Sequence, residues 1–317
     1  MKRRDLLAGA GAGLGVCMLG RTLPALAQQK KFRLAFANFN DESSFGAAVL
    51  KGFQASATTM PDLEFLPYDN KQDAARAVEI ARNVAALKPD AFIEYNIIPA
   101  SNRQVARIMA DAGVPVLGVQ VRVPDAPLFA IDNVMAGFEA GKAVAGAARQ
   151  RWPSIPVKAL LLSFPEGGPL FLEREAAAKR GMAEVMPSAT PDVQSTKNDP
   201  NVGRQAMTDF LTRNPGQKII VYSHIDAVSI AALAAVKAAG REGDVLISSF
   251  GGDAAIFPDI RRRGAIVGTF TSFPETWGAT LIGLTRKIAG KSQIPDLISP
   301  DRQLMLTADN IASFYPD

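Results

Sequence analysis

The sequence predicts an α/β protein of two halves with the same grammar, each a parallel sheet with helices between its strands. Three observations carry this. Short apolar runs without clean alternation, such as Phe32 to Phe39, suit strands buried on both faces of a parallel sheet. Each run is followed by a stretch of helical periodicity, the pattern of right-handed βαβ units. The alternation spans about residues 32–132, then starts again over 133–272. With 317 residues and 48% hydrophobic content, the chain has material for two cores.

In order, the strand from Phe32 is followed by a polar loop, Asn38 to Ser44, which can cap a helix over Phe45 to Ala57. Leu63 to Tyr68 is a strand, and Gln72 to Leu87 a helix with Ala75, Val78, Ala81 and Ala85 on one face. Asp90 to Tyr95 is the third strand. A helix over Asn102 to Ala112 is closed by Gly113. Val114 to Val119 and Leu128 to Ile131 are strands. Asp132-Asn133 opens a long helix, about Met135 to Arg151, which Trp152-Pro153 ends.

The second run has strands at Val157 to Ser163, Asp192 to Thr196, Lys218 to Tyr222, Val245 to Phe250 and Ile266 to Phe270. Helices lie between them at Leu172 to Val185, Val202 to Arg213, Ala227 to Ala239 and Ala254 to Arg263. Asp226 is placed to cap the third of these. Pro274 to Ala289 is a last long helix, and the tail after Leu297 offers an edge strand at Arg302 to Leu306.

Residues 1–27 form a different object. Lys2, Arg3 and Arg4 precede an apolar Gly/Ala/Leu run, and Ala25-Leu26-Ala27 has the pattern of a cleavage site. This predicts a secretory signal cleaved after Ala27. The pair Arg3-Arg4 before Asp5-Leu6-Leu7 has the twin-arginine form. The glycines at 9, 11, 13 and 15 lie in this leader with no strand before them, so they are not a dinucleotide loop. The only cysteine, Cys17, lies there too, so the processed chain is expected to lack disulfides and thiol chemistry. The formal net charge is +4, and the leader supplies three of those charges through four basic residues and one acidic. The remainder is near neutral, which gives no reason to expect a nucleic-acid partner.

Catalytic constellations are not legible. His224 is the sole histidine, a poor start for a metal site, so neither metal nor cofactor is expected. Ser223, His224 and Asp226 have the residue types of a triad, but near neighbours on one strand end cannot form the relay. There is no G-x-S-x-G and no phosphate loop. A non-enzymatic role is expected.

Seven segments in order then resemble the type I periplasmic binding proteins, in particular the ribose- and galactose-binding branch. They are RLAFANFN with SSFGAAVLKGF at 33–53, PDAFIEYNIIPASN at 89–102, AGVPVLGV at 112–119, AIDNVMAGFEAGKAVA at 130–145, IIVYSHIDAVSIAALAAVKAAG at 219–240, VLISSFGG at 245–252 and IVGTFTSFPETWGATLIG at 266–283. The resemblance implies two Rossmann-like lobes, with parallel sheets, joined by three crossings that close over a small ligand. It implies an N-terminal lobe of 28–132 plus 273–297, a C-terminal lobe of 133–272 plus 298–317, and a hinge at Asp132, Asn133, Thr271 and Ser272. It implies a periplasmic, monomeric component of an ABC importer that binds a sugar, polyol or sugar acid and docks on an inner-membrane permease. A ligand-presenting sensor for a membrane kinase or chemoreceptor shares the same fold. A regulator of the lactose-repressor type would need an N-terminal helix-turn-helix where this chain has a leader.

Carried over position by position, the resemblance makes Phe45 a platform for a sugar face, with Asn40 and Asp41 as polar contacts in the same loop. An Asp-Arg pair of the family falls on Gln120 and Val121, with Arg122 one step later. Arg174 is the candidate for a helix-start arginine, and Asn198 stands where a stacking aromatic is common. Ile225 replaces an Asn, with His224 beside it. Gly251 replaces an Asp, with Asp253 two residues on, and Ser272 replaces a Gln. Arg122 with Arg174 would suit a carboxylate, since an Arg fork matches it.

Overall fold

The first core is built on a strand with a large side chain on one face and a small one on the other. In β1 (Phe32–Asn38), Leu34 and Phe36 enter one apolar cluster while Ala35 and Ala37 enter the cluster on the opposite face. Burial on both sides is what a run without polar alternation requires. The computed structural model describes residues 30–316, so the signal, cleavage and cysteine expectations for residues 1–27 lie outside the described residues.

From β1 the chain continues through α1 (Ser44–Thr58), β2 (Leu63–Asp69), α2 (Ala74–Leu87), β3 (Ala91–Glu94), α3 (Pro99–Ala112), β4 (Val116–Val119) and β5 (Leu128–Phe129). It then runs through α4 (Asn133–Arg151), β6 (Val157–Ser163), α5 (Pro169–Val185), β7 (Pro191–Ser195), α6 (Pro200–Arg213), β8 (Lys218–Ser223), α7 (Asp226–Ala238), β9 (Val245–Phe250), α8 (Phe257–Arg261) and β10 (Ile266–Thr271). It closes with α9 (Trp277–Ala289), β11 (Leu297–Ile298), β12 (Leu304–Thr307) and α10 (Ile311–Phe314).

Two six-stranded sheets result. The first has the order β11-β5-β4-β3-β1-β2 and is parallel throughout. The second has the order β12-β10-β9-β8-β6-β7, parallel except for β12, which runs antiparallel to β10. The chain passes between the sheets three times: after β5, after β10 and after β11. The third passage falls after Ile298. Among the described residues, no helix is long and apolar enough to cross a membrane.

Local chemistry explains the boundaries. Ser43 caps α1 by accepting from the Gly46 N–H at 3.0 Å, and Asp132 caps α4 by accepting from Met135 N–H at 2.8 Å. Gly113 ends α3 in the left-handed region, φ 69°. Four expectations need correction. α3 starts at Pro99 rather than Asn102, because Pro suits a first helical position. The helix expected over 254–263 shrinks to a 3₁₀ turn and five residues of α8, ended by Arg263 at φ 55° before Gly264. The two-residue β11 escaped the sequence reading because a pair has no periodicity. Asp226 begins α7 itself, with Ile225 at the cap position, and its carboxylate points elsewhere.

Candidate ligand site

A cleft of about 760 Å³ lies between the two sheets, at the carboxyl ends of their strands. The first lobe contributes the loop after β1, Tyr95 after β3 and Gln120 after β4. The second contributes the first turns of α5 and α7 and the glycine loop after β9.

The loop after β1 is satisfied internally. Asn40 Oδ1 accepts from Glu42 N–H at 2.8 Å, and Ser43 Oγ donates to the Asn40 carbonyl at 3.0 Å. Phe45 then projects from α1. Its ring stacks near Phe250 of the other lobe, 6.4 Å and 17° apart, and meets Trp277 edge-on at 5.4 Å. Asp41 is absent from the lining. Its carboxylate accepts from Asn38 Nδ2 at 2.6 Å and so serves the turn.

Behind this wall lies Glu94, completely buried. Asn70 Nδ2 reaches it at 3.3 Å, and its second oxygen has no partner. Burial raises its pKa to about 8, so it is protonated at neutral pH.

Arg174 dominates the second wall. It is only 3% exposed, and its Nε and Nη1 have no hydrogen-bond partner. The guanidinium carbon sits 3.6 Å from the Phe250 ring centroid and 5.1 Å from that of Phe171. The adjacent carboxylate of Glu175 is committed elsewhere, accepting from Ser163 Oγ at 2.6 Å and Phe164 N–H at 2.8 Å. Tyr222, buried nearby, has an unpartnered hydroxyl. Burial holds this phenol and that of Tyr95 protonated.

Asn198 lines the cleft in a left-handed conformation, φ 58°. His224 stands behind it, with Nε2 3.2 Å from the Asn198 carboxamide and Nδ1 3.2 Å from the Leu162 carbonyl. Burial, reinforced by the Arg174 charge, lowers the histidine pKa to about 3. The Leu162 carbonyl also accepts from the His224 backbone N–H at 3.1 Å. A neutral ring has one N–H, so it donates to either the Leu162 carbonyl or the Asn198 carboxamide.

Asp226 fastens the glycine loop. It accepts from Asp253 N–H and from Thr269 Oγ, both at 2.7 Å. Burial raises its pKa to about 6, against the pull of its hydrogen bonds. A Cβ on Gly251 would stand 2.8 Å from the Asp226 carboxylate, and Gly251 has φ 142°. An Asp cannot replace that glycine without moving the loop.

Of the expected site residues, the cleft brings together Asn40, Phe45, Gln120, Arg174, Asn198 and Asp253. Arg122 does not turn inward. It pairs with Asp296 at 3.0 Å, about half exposed. Ser272 is buried in the second crossing, where its carbonyl accepts from Trp277 Nε1 at 2.9 Å. The reading missed Phe39, Tyr95, Phe171, Asp226 and Phe250. Phe39, Tyr95 and Phe250 sit at or just past strand ends, which was the available signal. Phe171 and Asp226 required knowing how the second lobe folds.

Residues 34–292 match the family model of the periplasmic binding protein domain, most of the chain, and the protein belongs to that family. Solved structures share its fold. A periplasmic solute-binding protein of Actinobacillus succinogenes with bound D-allose superposes with a TM-score of 0.81 at 20% identity, over 90% of this chain and 100% of that one. The arabinose-transporter binding protein of Shewanella sp. ANA-3, bound to L-arabinofuranose, gives 0.77 at 22% identity, over 89% and 94%. A solute-binding protein of Bacillus halodurans with bound myo-inositol gives 0.77 at 15% identity, over 91% and 98%. Comparison with curated protein sequences finds no match.

Proposed function

We propose that this protein is the solute-capturing component of an ABC importer, exported with cleavage after Ala27 and acting as a periplasmic monomer. It takes a small polar ligand of sugar size (a sugar, polyol or sugar acid) into the cleft and delivers it to a membrane permease. The observation that carries this reading is the pair Arg174 and Gln120. Both are buried, line the cleft from opposite lobes and hold side-chain donors without partners. Native structures rarely leave such groups unsatisfied, so a ligand that pairs with them links the lobes. The D-allose, L-arabinofuranose and myo-inositol held by similar structures support the ligand size.

The lobes are 30–132 plus 273–298 and 133–272 plus 299–316, the expected third boundary moved one residue because Ile298 pairs with Phe129, and they rotate about Asp132, Asn133, Thr271 and Ser272. In support, the Asp132 N–H donates to Gln303 Oε1 at 2.9 Å, tying the first crossing to the third. Phe273 in the second crossing holds φ 52°, and its N–H donates to Thr271 Oγ at 3.1 Å. Ligand contact with both lobes shifts the open–closed equilibrium toward closed. Small-angle scattering tests this: a verified ligand should reduce the radius of gyration of a monomer. An unchanged radius at saturation would rule out capture by closure.

A further inference from the structure

We infer that the cleft is built for a small organic carboxylate with an apolar body, its carboxylate on Arg174 and its body against Phe45, Phe171 and Phe250. The inference rests on the solute-capture reading and narrows its ligand class.

Charge is the first ground. A buried guanidinium without a counter-charge is costly, because desolvation is not repaid. The carboxylate of Glu175 repays part of it through charge alone and leaves Nε and Nη1 unpartnered. Glu175 is held by Ser163 and Phe164, and His224, Tyr95 and Tyr222 are neutral. A ligand anion would supply the missing partner, and Nε and Nη1 keep unpartnered N–H groups on two edges of the guanidinium.

Donor–acceptor balance is the second ground. The hydroxyls of a sugar each bring a donor that needs a buried acceptor. Few of the acceptors in this cleft are buried: Glu42 is exposed, and Glu275 is half-buried and accepts from the Tyr315 hydroxyl at 2.7 Å. Both Asp226 oxygens are engaged, and Asp253 Oδ1 accepts from Ala255 N–H at 2.9 Å. Ile225 and Gly251 stand where the resemblance to sugar binders expects Asn and Asp, and Gly251 has no room for a side chain. The unpartnered groups of Arg174 and Gln120 in the lining are donors. A donor-rich cavity selects an acceptor-rich ligand end.

The third ground is the remaining wall. Phe250 and Phe171 flank the guanidinium, Phe45 faces Phe250, and Ile97, Ile131 and Leu170 complete the surface. Hydroxyls set there would be desolvated without partners, whereas a ring or branched alkyl group gains from burial.

Calorimetric titration of the purified full chain with benzoate, phenylacetate and 3-methylbutanoate, against D-gluconate, D-allose, L-arabinose and myo-inositol, tests this. An apolar carboxylate should bind at least about 100-fold more tightly than the others. Arg174→Gln should weaken that binding by about 100-fold, and Arg174→Lys by about tenfold, because the charge stays and the planar set of donors is lost. The unliganded Arg174→Gln chain should melt at or above the wild-type temperature, since an unpaired buried charge has gone. Tight binding of a neutral sugar or polyol alone would overturn the inference and leave solute capture standing. So would gluconate binding tightest, or carboxylate binding indifferent to Arg174→Gln. A variant that melts lower while losing binding would give Arg174 a packing role and also overturn it. A folded chain that binds no panel member and shows no retained cargo in native mass spectrometry would overturn both readings.

Discussion

The two walls of the cleft handle polar groups in opposite ways. The loop after β1 closes its hydrogen bonds on itself through Asn40, Ser43 and Asp41, and offers the cleft a ring, Phe45. The second wall leaves the Nε and Nη1 of Arg174 without partners. The loop after β1 is complete before a ligand arrives, whereas Gln120 on the same wall and Arg174 on the other keep donors for it. The contrast teaches that the buried charge of the lining without a hydrogen-bond partner at Nε and Nη1 lies in the second lobe, while the first brings a neutral donor, Gln120, and the ring of Phe45.

The largest expected effect tests how the first wall is backed. Glu94 has its pKa raised from 4.5 to about 8 by burial, so the folded state keeps its proton through that window while the unfolded chain has lost it. The stability it contributes is full below the unfolded value and is lost as pH rises toward 8. Glu94→Gln should remove this loss. In urea titrations the variant should exceed wild type at pH 9 by on the order of 3–5 kcal/mol more than at pH 4. A difference between the two chains that does not change with pH would show that Glu94 is not held neutral. Taking the difference matters, because His224, lowered to about 3, has the opposite slope below its unfolded value.

Next is the helix pair that aims Arg174. A Cβ on Gly137 of α4 would lie 1.9 Å from the Arg174 carbonyl oxygen, so the absence of a side chain there lets α5 seat against α4. Gly137→Val should cost about 3 kcal/mol in denaturant midpoint and weaken ligand binding, since it displaces the backbone that carries the guanidinium. Wild-type affinity in this variant would mean that Arg174 is not positioned by the pair.

Phe45→Ala addresses whether the ring of the first wall supplies contact area rather than selectivity. The ring's contacts with Phe250 and Trp277 go, and affinity should fall by about tenfold, with the order of preference among ligands unchanged. A reversal of preference in calorimetry would place selectivity in the first wall. The smallest effect belongs to Arg122→Ala. Its ion pair with Asp296 is solvent-exposed, and the change should stay within about 0.5 kcal/mol of wild type with ligand affinity intact.

The alternation of strands and helices was legible because parallel strands buried on both faces leave continuous apolar runs, as Leu34 to Ala37 do. Phe45 and Arg174 were legible as residues of the right type at the start of helices following strands. Arg122 was misplaced because one residue of shift decides whether an arginine faces the cleft or a surface carboxylate. Asp226 looked like a cap because its partners, Asp253 and Thr269, are 27 and 43 residues away in the chain.

The sequence by itself therefore determined the βαβ repetition, the helix boundaries set by Ser43, Asp132 and Gly113, and the residue types available to the cleft. These depend on neighbours a few positions apart, where periodicity and capping act. Tertiary structure alone decided that Arg174 is left unpaired while Arg122 is not, that Glu94 keeps its proton, and that Gly251 cannot carry a side chain. Each of these depends on which distant groups surround a buried atom, and desolvation is set by that enclosure rather than by order along the chain.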